Sequence, residues 1–168
     1  MIYGLVGYAR AGKDTVAKFV CQEKSCARRA FADALKREVS DNLYHAVNQR
    51  IHFSDDKEKI RFRNLLVAWG EAVRELDPER WINLCFNEMS LRGNFIITDV
   101  RYLNEAKVIK KTGGKLIYID RPKFGAANET EARTIKEILD SGLIDYTILN
   151  NGSLNELKKK AIDVIQFM

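Results

Sequence analysis

The residues best suited to chemistry lie near the start of the chain: Gly7-Tyr8-Ala9-Arg10-Ala11-Gly12-Lys13-Asp14-Thr15. Gly-x-x-x-x-Gly-Lys is the spacing of a phosphate-binding loop (P-loop). Glycine lets backbone N–H groups converge on phosphate oxygens with no Cβ in the way. Lys13 adds a full positive charge within reach of β- and γ-phosphates. One position departs from the pattern. Asp14 stands where Ser or Thr would hold Mg²⁺, and the hydroxyl comes one place later, at Thr15. A carboxylate beside polyphosphate is repelled unless Mg²⁺ or an arginine intervenes.

Other candidates are scattered along the chain. Phe95-Ile96-Ile97-Thr98 is an apolar run that delivers Asp99, with Arg101 two residues on. A carboxylate ending such a strand can help to hold Mg²⁺ beside a phosphate loop, or it can cap the next helix or pair with Arg101. Arg63, Val67, Gly70 and Arg74 fall on one helical face. Two guanidinium forks flanking a glycine suit a phosphate; the alternative is a solvated charged face. Leu65, Trp69, Ala72 and Leu76 fall on another side, expected to be core. Asp33 either meets a substrate or caps a helix starting at Ala34. Arg121 ends a strand and opens a Pro/Gly loop, from which it can reach a nucleotide. His45 and His52 are isolated. No nucleophile–base set and no zinc spacing is present.

The elements that must position these groups alternate. Ile2–Val6 reads as a strand buried on both faces, and a helix follows from Lys13 to Glu23. The pattern predicts a short strand at Arg28–Ala32 and a helix from Ala34 to about Arg50. It then predicts one long helix over Glu58–Leu76 and another from Pro78 to about Leu91, capped by Asp77. Strands follow at Phe95–Val100, Lys115–Asp120 and Tyr146–Leu149. Helices follow at Leu103–Thr112, stopped by Gly113-Gly114, at Glu129–Ser141, and from Ser153 to about Gln166. Strand–helix alternation broken by one helical insert, about 33–92, predicts an α/β fold. Its parallel sheet has about five strands with right-handed crossovers.

A chain of 168 residues, 46% apolar and 30% charged, fits one globular domain with a sizeable core. Its net charge of +5 suits acidic partners such as nucleotides, nucleic acid or phosphorylated metabolites. Cys21, Cys26 and Cys85 show no metal spacing and read as reduced thiols. No signal peptide and no run approaching a membrane span is visible, so a cytoplasmic protein is expected.

Several segments together resemble the deoxynucleoside monophosphate kinases of the phage-type P-loop family. They are the Gly-Lys-Asp-Thr ending of the loop and Phe31-Ala32-Asp33-Ala34-Leu35-Lys36. A third is Asp56-Lys57-Glu58 with Arg63-x-Leu65-Leu66-x-x-Trp69-Gly70-x-x-x-Arg74. The fourth is Asp99-Val100-Arg101-Tyr102-Leu103-Asn104-Glu105-Ala106 with Gly113-Gly114 and Ile117-x-Ile119-x-Arg121. Two departures stand out. Asn128-Glu129-Thr130-Glu131 replaces a His-x-Ser-Glu element, and Leu103 replaces a proline.

The resemblance implies a three-layer P-loop NTPase fold with one domain over 1–168. The insert would bind the acceptor, and a short lid would lie near 121–133. It implies transfer of the ATP γ-phosphoryl to a deoxynucleoside 5′-monophosphate, with Mg²⁺. Gly7, Arg10, Ala11, Gly12, Lys13, Asp14, Thr15 and Arg121 would bind ATP. Asp33, Lys36, Arg63, Trp69, Gly70, Arg74, Asp99 and Arg101 would bind the acceptor. Lys13, Asp14, Arg74 and Arg101 would serve catalysis, and Thr15 and Asp99 would hold Mg²⁺, directly or through water. Asp14 would touch the Mg²⁺ water shell or pair with an acceptor-side arginine. The rival readings are a kinase of another phosphorylated metabolite, such as phosphomevalonate or dephospho-coenzyme A, and a nucleic-acid-stimulated NTPase. The latter calls for a basic stripe with interleaved aromatics that the sequence lacks. A non-catalytic nucleotide binder is disfavoured by the retained Lys13, Asp99 and arginines. No membrane or nucleic-acid partner is expected, and a homodimer is left open.

Overall fold

The computed structural model describes residues 1–89 and 93–166. Its framework is a parallel sheet of β1 (Ile2–Val6), β2 (Ala27–Arg29), β3 (Phe95–Val100), β4 (Lys115–Asp120) and β5 (Tyr146–Leu149), in the order β2-β3-β1-β4-β5. The central strand, β1, pairs with β3 on one side (Tyr3 opposite Ile96) and with β4 on the other (Leu5 opposite Ile117). Strands buried on both faces need apolar side chains at nearly every position. Leu5, Val6, Ile96, Ile97, Ile117 and Ile119 are accordingly buried. On one face, α1 (Lys13–Glu23) and α8 (Leu154–Val164) cover the sheet, with Val16, Ala17 and Val20 meeting Leu157 and Ala161 in one core. α6 (Leu103–Lys111) and α7 (Glu129–Asp140) bury Ala106, Ile109, Ile135 and Ile138. Burying each Ile or Leu contributes roughly 1.5–3 kcal/mol. Among the described residues, no helix is long and apolar enough to cross a membrane.

The chain forms two compact units. One comprises Met1–Ala30 and the chain from Met89 onward and contains the sheet; the other is Phe31–Glu88 and is helical. The helical unit holds α2 (Phe31–Val47), α3 (Asp56–Arg61), α4 (Arg63–Leu76) and α5 (Arg80–Asn87). Its core joins Ala34, Leu35 and Val39 of α2 to Trp81, Ile82 and Cys85 of α5. The Ser40 hydroxyl donates to the Ile51 carbonyl at 2.7 Å and fastens the following loop to α2.

Several local expectations are corrected. The long helix expected over Glu58–Leu76 is broken at Phe62, whose φ of −102° and ψ of 13° lie off the helical values. The Phe62 ring packs edge-on against Phe53 at 6.1 Å, so tertiary contact accompanies the break. The side of α4 expected to be core is open: Leu65 is 36% and Leu76 89% exposed. The buried residue is Gly70, pressed so closely on α2 that a Cβ would stand 3.1 Å from Leu35 Cδ2. A helix can approach closely where a side chain is absent, which apolar periodicity does not reveal.

Asp33 is not the cap of α2, because the helix starts at Phe31; its carboxylate lies in the first turn, where the helix dipole favours it. α5 begins at Arg80 rather than Pro78, and Asp77 instead accepts the Glu79 N–H at 3.1 Å in the preceding turn. That helix ends at Asn87 with Glu88 as its C-cap, short of the expected Leu91, and residues 90 and 91 of the expected continuation fall outside the described residues. The strand expected at Arg28–Ala32 is Ala27–Arg29. Cys21 and Cys26 are not free thiols. The turn after α1 brings their Cα atoms to 5.1 Å, and they form a disulfide, within the usual bridging distance. Cys85 is buried and takes no part in that disulfide.

Candidate active site

The loop between β1 and α1 takes its shape from backbone conformations that glycine permits. Gly7 has φ of +151° and a Cβ there would lie 2.7 Å from the Ile119 carbonyl; Gly12 has φ of +104° and a Cβ would lie 2.7 Å from Asn150 Nδ2. Arg10 also sits at positive φ, +64°, which is uncommon for a residue with a side chain. Its carbonyl is held by Arg121 Nη1 at 2.9 Å.

Three further carbonyls of the loop are held by side chains. Lys13 Nζ donates to the Gly7 and Tyr8 carbonyls at 2.6 and 2.8 Å. Asn150 Nδ2 donates to the Ala11 carbonyl at 2.9 Å. The Ala9 N–H donates to the Glu131 carboxylate at 3.1 Å. Gly12 caps α1 with no side-chain hydrogen bond. The amides of the first helical turn have no intrahelical acceptors, and a helix N-terminus of this kind favours an anion. An ammonium has three donors, and two of those of Lys13 are accounted for by the Gly7 and Tyr8 carbonyls. Arg10, Gly12, Lys13, Asp14, Thr15 and Arg121 line a cavity of about 300 Å³ there.

Lys13 is buried, and burial pulls its pKa below the ordinary 10.5; the charge of Arg101 pulls the same way, while Glu131, Asp14 and Asp99 oppose it. Asp99 at the end of β3 and Arg101 just beyond are therefore electrostatic neighbours of the loop lysine. Arg101 is held by its backbone: the Arg101 and Tyr102 N–H groups donate to buried Glu105 at 2.7 and 3.1 Å. Asp14 is largely exposed and pairs with Arg28 of β2 at 3.4 Å. Thr15 is half-buried at the cavity wall.

In the helical unit, Asp33 pairs with Lys36 at 3.6 Å. Arg74 Nη1 donates to the Gly70 carbonyl at 3.2 Å. Trp69 Nε1 donates to Glu38 at 2.9 Å, and Glu38 also pairs with Arg80 at 2.6 Å. The two hydrogen bonds hold the Glu38 carboxyl below its usual range, against the opposing effect of burial, which is the largest single influence. Arg63 is exposed. It lies about 16 Å from Arg74 along the α4 axis at 1.5 Å per residue, so the two guanidinium groups can share a phosphate only by leaning towards Gly70.

The structure thus gathers the loop residues and Arg121 around one cavity, with Asp99 and Arg101 close by, and groups Gly70 with Arg74 and Asp33 with Lys36. Glu131, Asn150 and Arg28 were not singled out in the sequence. For Asn150 a signal existed: it follows β5 directly, and the carboxyl ends of parallel strands are where ligands bind. Glu131 falls on the Glu of the resembled family's His-x-Ser-Glu element, whose departure here is at the histidine, so a signal existed for it too. Arg28 carried no signal.

The profile of a family described as phosphomevalonate kinase matches residues 5–115. A protein of Acanthamoeba polyphaga mimivirus named "Putative deoxynucleotide monophosphate kinase" is 24% identical over 191 residues, covering 98% of this chain and 96% of its own. The uncharacterized protein ORF76 of Ictalurid herpesvirus 1 is 24% identical over 164 residues, covering 92% of this chain and 63% of its own. TT1252 from Thermus thermophilus superposes with a TM-score of 0.53 at 15% identity, over 97% of this chain and 94% of that one. Shikimate kinase from Aquifex aeolicus vf5 superposes with a TM-score of 0.51 at 14% identity, over 95% and 93%. The likeness to these structures is one of fold: a parallel sheet with flanking helices, built around a phosphate loop.

Proposed function

The chain belongs to the phosphomevalonate kinase family, and from that premise we propose that it transfers the γ-phosphoryl of ATP to a deoxynucleoside 5′-monophosphate, giving the diphosphate and ADP. The observation that carries the donor half is the loop itself. Carbonyls of the loop are tied back by Lys13, Arg121 and Asn150, while Lys13 and the rest of the first turn of α1 line the cavity. The choice of acceptor rests on the mimivirus relative, which aligns over nearly the full length of both chains.

The acceptor would be a phosphate oxygen that is already anionic, so no general base is needed. What must be overcome is repulsion between polyanions and the charge spread over the moving group. Positioning and fixed positive charge therefore dominate. Lys13 and the loop amides would hold the ATP phosphates. Arg63 and Arg74, with Asp33, Lys36, Trp69 and Gly70, would take the acceptor. Arg101 or Arg121 would follow the transferring charge, and the 121–133 segment would shield it from water. Among the described residues no group of three or more His, Cys, Asp or Glu could cage a metal. Mg²⁺ does not ask for one: it binds through one or two protein oxygens, with phosphates and water completing the shell. The Thr15 hydroxyl and Asp99 carboxylate fit that need, and Mg²⁺ would supply charge neutralisation between the phosphates.

A second reading, phosphomevalonate as acceptor, is favoured by the family profile. One panel separates the two: ATP with each NMP and dNMP, with phosphomevalonate and with dephospho-coenzyme A, followed by ADP release. The expected result is turnover with one or more dNMPs. Turnover with phosphomevalonate alone transfers the assignment to the second reading, and ADP release with no acceptor dependence refutes both.

A further inference from the structure

Glu131 is 6% exposed, in the first turn of α7, where carboxylates are seldom buried without a cationic partner. Among the described residues it forms no ion pair. Both of its oxygens are spent on backbone instead. Oε1 accepts the Ala9 N–H of the phosphate loop at 3.1 Å, and Oε2 accepts the Ala127 N–H at 2.7 Å. Ala127 lies in the loop of residues 121–128, which opens with Arg121. At its other end, that loop is fastened to the same phosphate loop, since Arg121 Nη1 donates to the Arg10 carbonyl at 2.9 Å. The Arg121 guanidinium also stacks on Phe124 of its own loop, 4.1 Å above the ring. The two loops are therefore joined at both ends, and the joint at the Glu131 end is one buried side chain. Asn128 Oδ1 accepts the Glu131 N–H at 2.8 Å and fixes the helix turn from which the carboxylate projects.

We propose that Glu131 is a positioning residue that locks the phosphate loop and the 121–128 loop into one unit, presenting Arg121 to the nucleotide phosphates in register with Lys13. A carboxylate is required because each oxygen must accept. Gln offers an N–H₂ to one of two N–H donors, and Asp is too short by a methylene to span both. The inference rests on the loop holding nucleotide phosphate, not on the identity of the acceptor.

The test is a double-mutant cycle on the full chain with Glu131→Gln, Arg121→Ala and the pair. It is read by affinity for a fluorescent ATP analogue, thermal midpoint, and KM for ATP against KM for the acceptor. Loss of one charge-assisted hydrogen bond is expected to weaken ATP binding by about tenfold or more. KM for ATP should rise while KM for the acceptor holds. Arg121→Ala should cost much less in the Glu131→Gln background than in the wild type, because the arginine has already lost its placement. Wild-type ATP affinity in Glu131→Gln, or full independent effects of the two substitutions, would overturn the proposal, even if the thermal midpoint falls. Glu131→Asp guards against a folding failure of the amide variant and should reproduce its loss of ATP affinity. A wild-type protein that binds no ATP sinks the phosphate-loop reading itself, and this proposal with it, before any variant is compared.

Discussion

Replacing Lys13 with Met separates what the lysine contributes to chemistry from what it costs the fold. Met keeps the length and packs in irregular apolar space. The substitution removes a buried ammonium and its hydrogen bonds to the Gly7 and Tyr8 carbonyls. The Tyr8 carbonyl keeps a partner, the Ala11 N–H at 3.1 Å, so the orphaned acceptor is the Gly7 carbonyl. On the ligand side, a hydrogen bond to a charged group is worth about 1.5–3 kcal/mol, or roughly ten- to 150-fold in ATP affinity. In the transition state, loss of one preorganised donor typically costs about 10²–10³ in kcat.

Stability should move little, because two effects oppose. Losing the bond to the Gly7 carbonyl destabilises by about 1–3 kcal/mol, while removing a desolvated charge stabilises. The sign of the second follows from the lowered Lys13 pKa, caused first by burial and next by Arg101. A folded-state pKa below 10.5 means that the unfolded chain binds the proton more tightly. The penalty is present below the folded pKa, shrinks as pH rises through it, and is gone above the unfolded value. The thermal midpoint of Lys13→Met minus that of the wild type should therefore be highest near neutral pH and fall towards pH 10.5. The assays are calorimetric ATP binding, coupled ADP release and thermal scans across that range. ATP affinity within threefold of wild type, or a difference in midpoint that rises with pH, would refute the reasoning.

Gly12→Ala should abolish measurable ATP binding in the same calorimeter. It places a Cβ 2.7 Å from Asn150 Nδ2 at a φ of +104°, a left-handed conformation costing roughly 1–2 kcal/mol before the clash is counted; normal binding would mean that the loop closes differently. Asp14→Ser should leave the thermal midpoint unchanged, since the Arg28–Asp14 pair is exposed and such pairs contribute little. If Asp14 organises the Mg²⁺ water shell, the Mg²⁺ concentration for half-maximal turnover rises. An unchanged Mg²⁺ titration reduces Asp14 to a favourable charge in the first turn of α1.

The parts of the protein readable in the sequence are those whose physics is local. Nine consecutive residues carry the phosphate loop. Runs of buried apolar residues mark β1, β3 and β4, and Ser153 with Glu156 marks the start of α8 through a capping box. The alternation of these elements is enough for a parallel sheet, because parallel strands need crossovers. What tertiary structure alone decided depends on which distant groups meet. The break at Phe62 accompanies packing on Phe53, and the buried side of α4 is set by Gly70 lying on Leu35. The Cys21–Cys26 bridge depends on how tightly the chain turns back from α1. The loop's carbonyls and its Ala9 amide find partners in Arg121, Asn150 and Glu131, more than a hundred residues away. A periodic pattern reports which face a residue occupies. The partner of a particular backbone group is fixed instead by strand order, which here sets β4 beside β1 and β5 beside β4 and brings the ends of those strands to the phosphate loop.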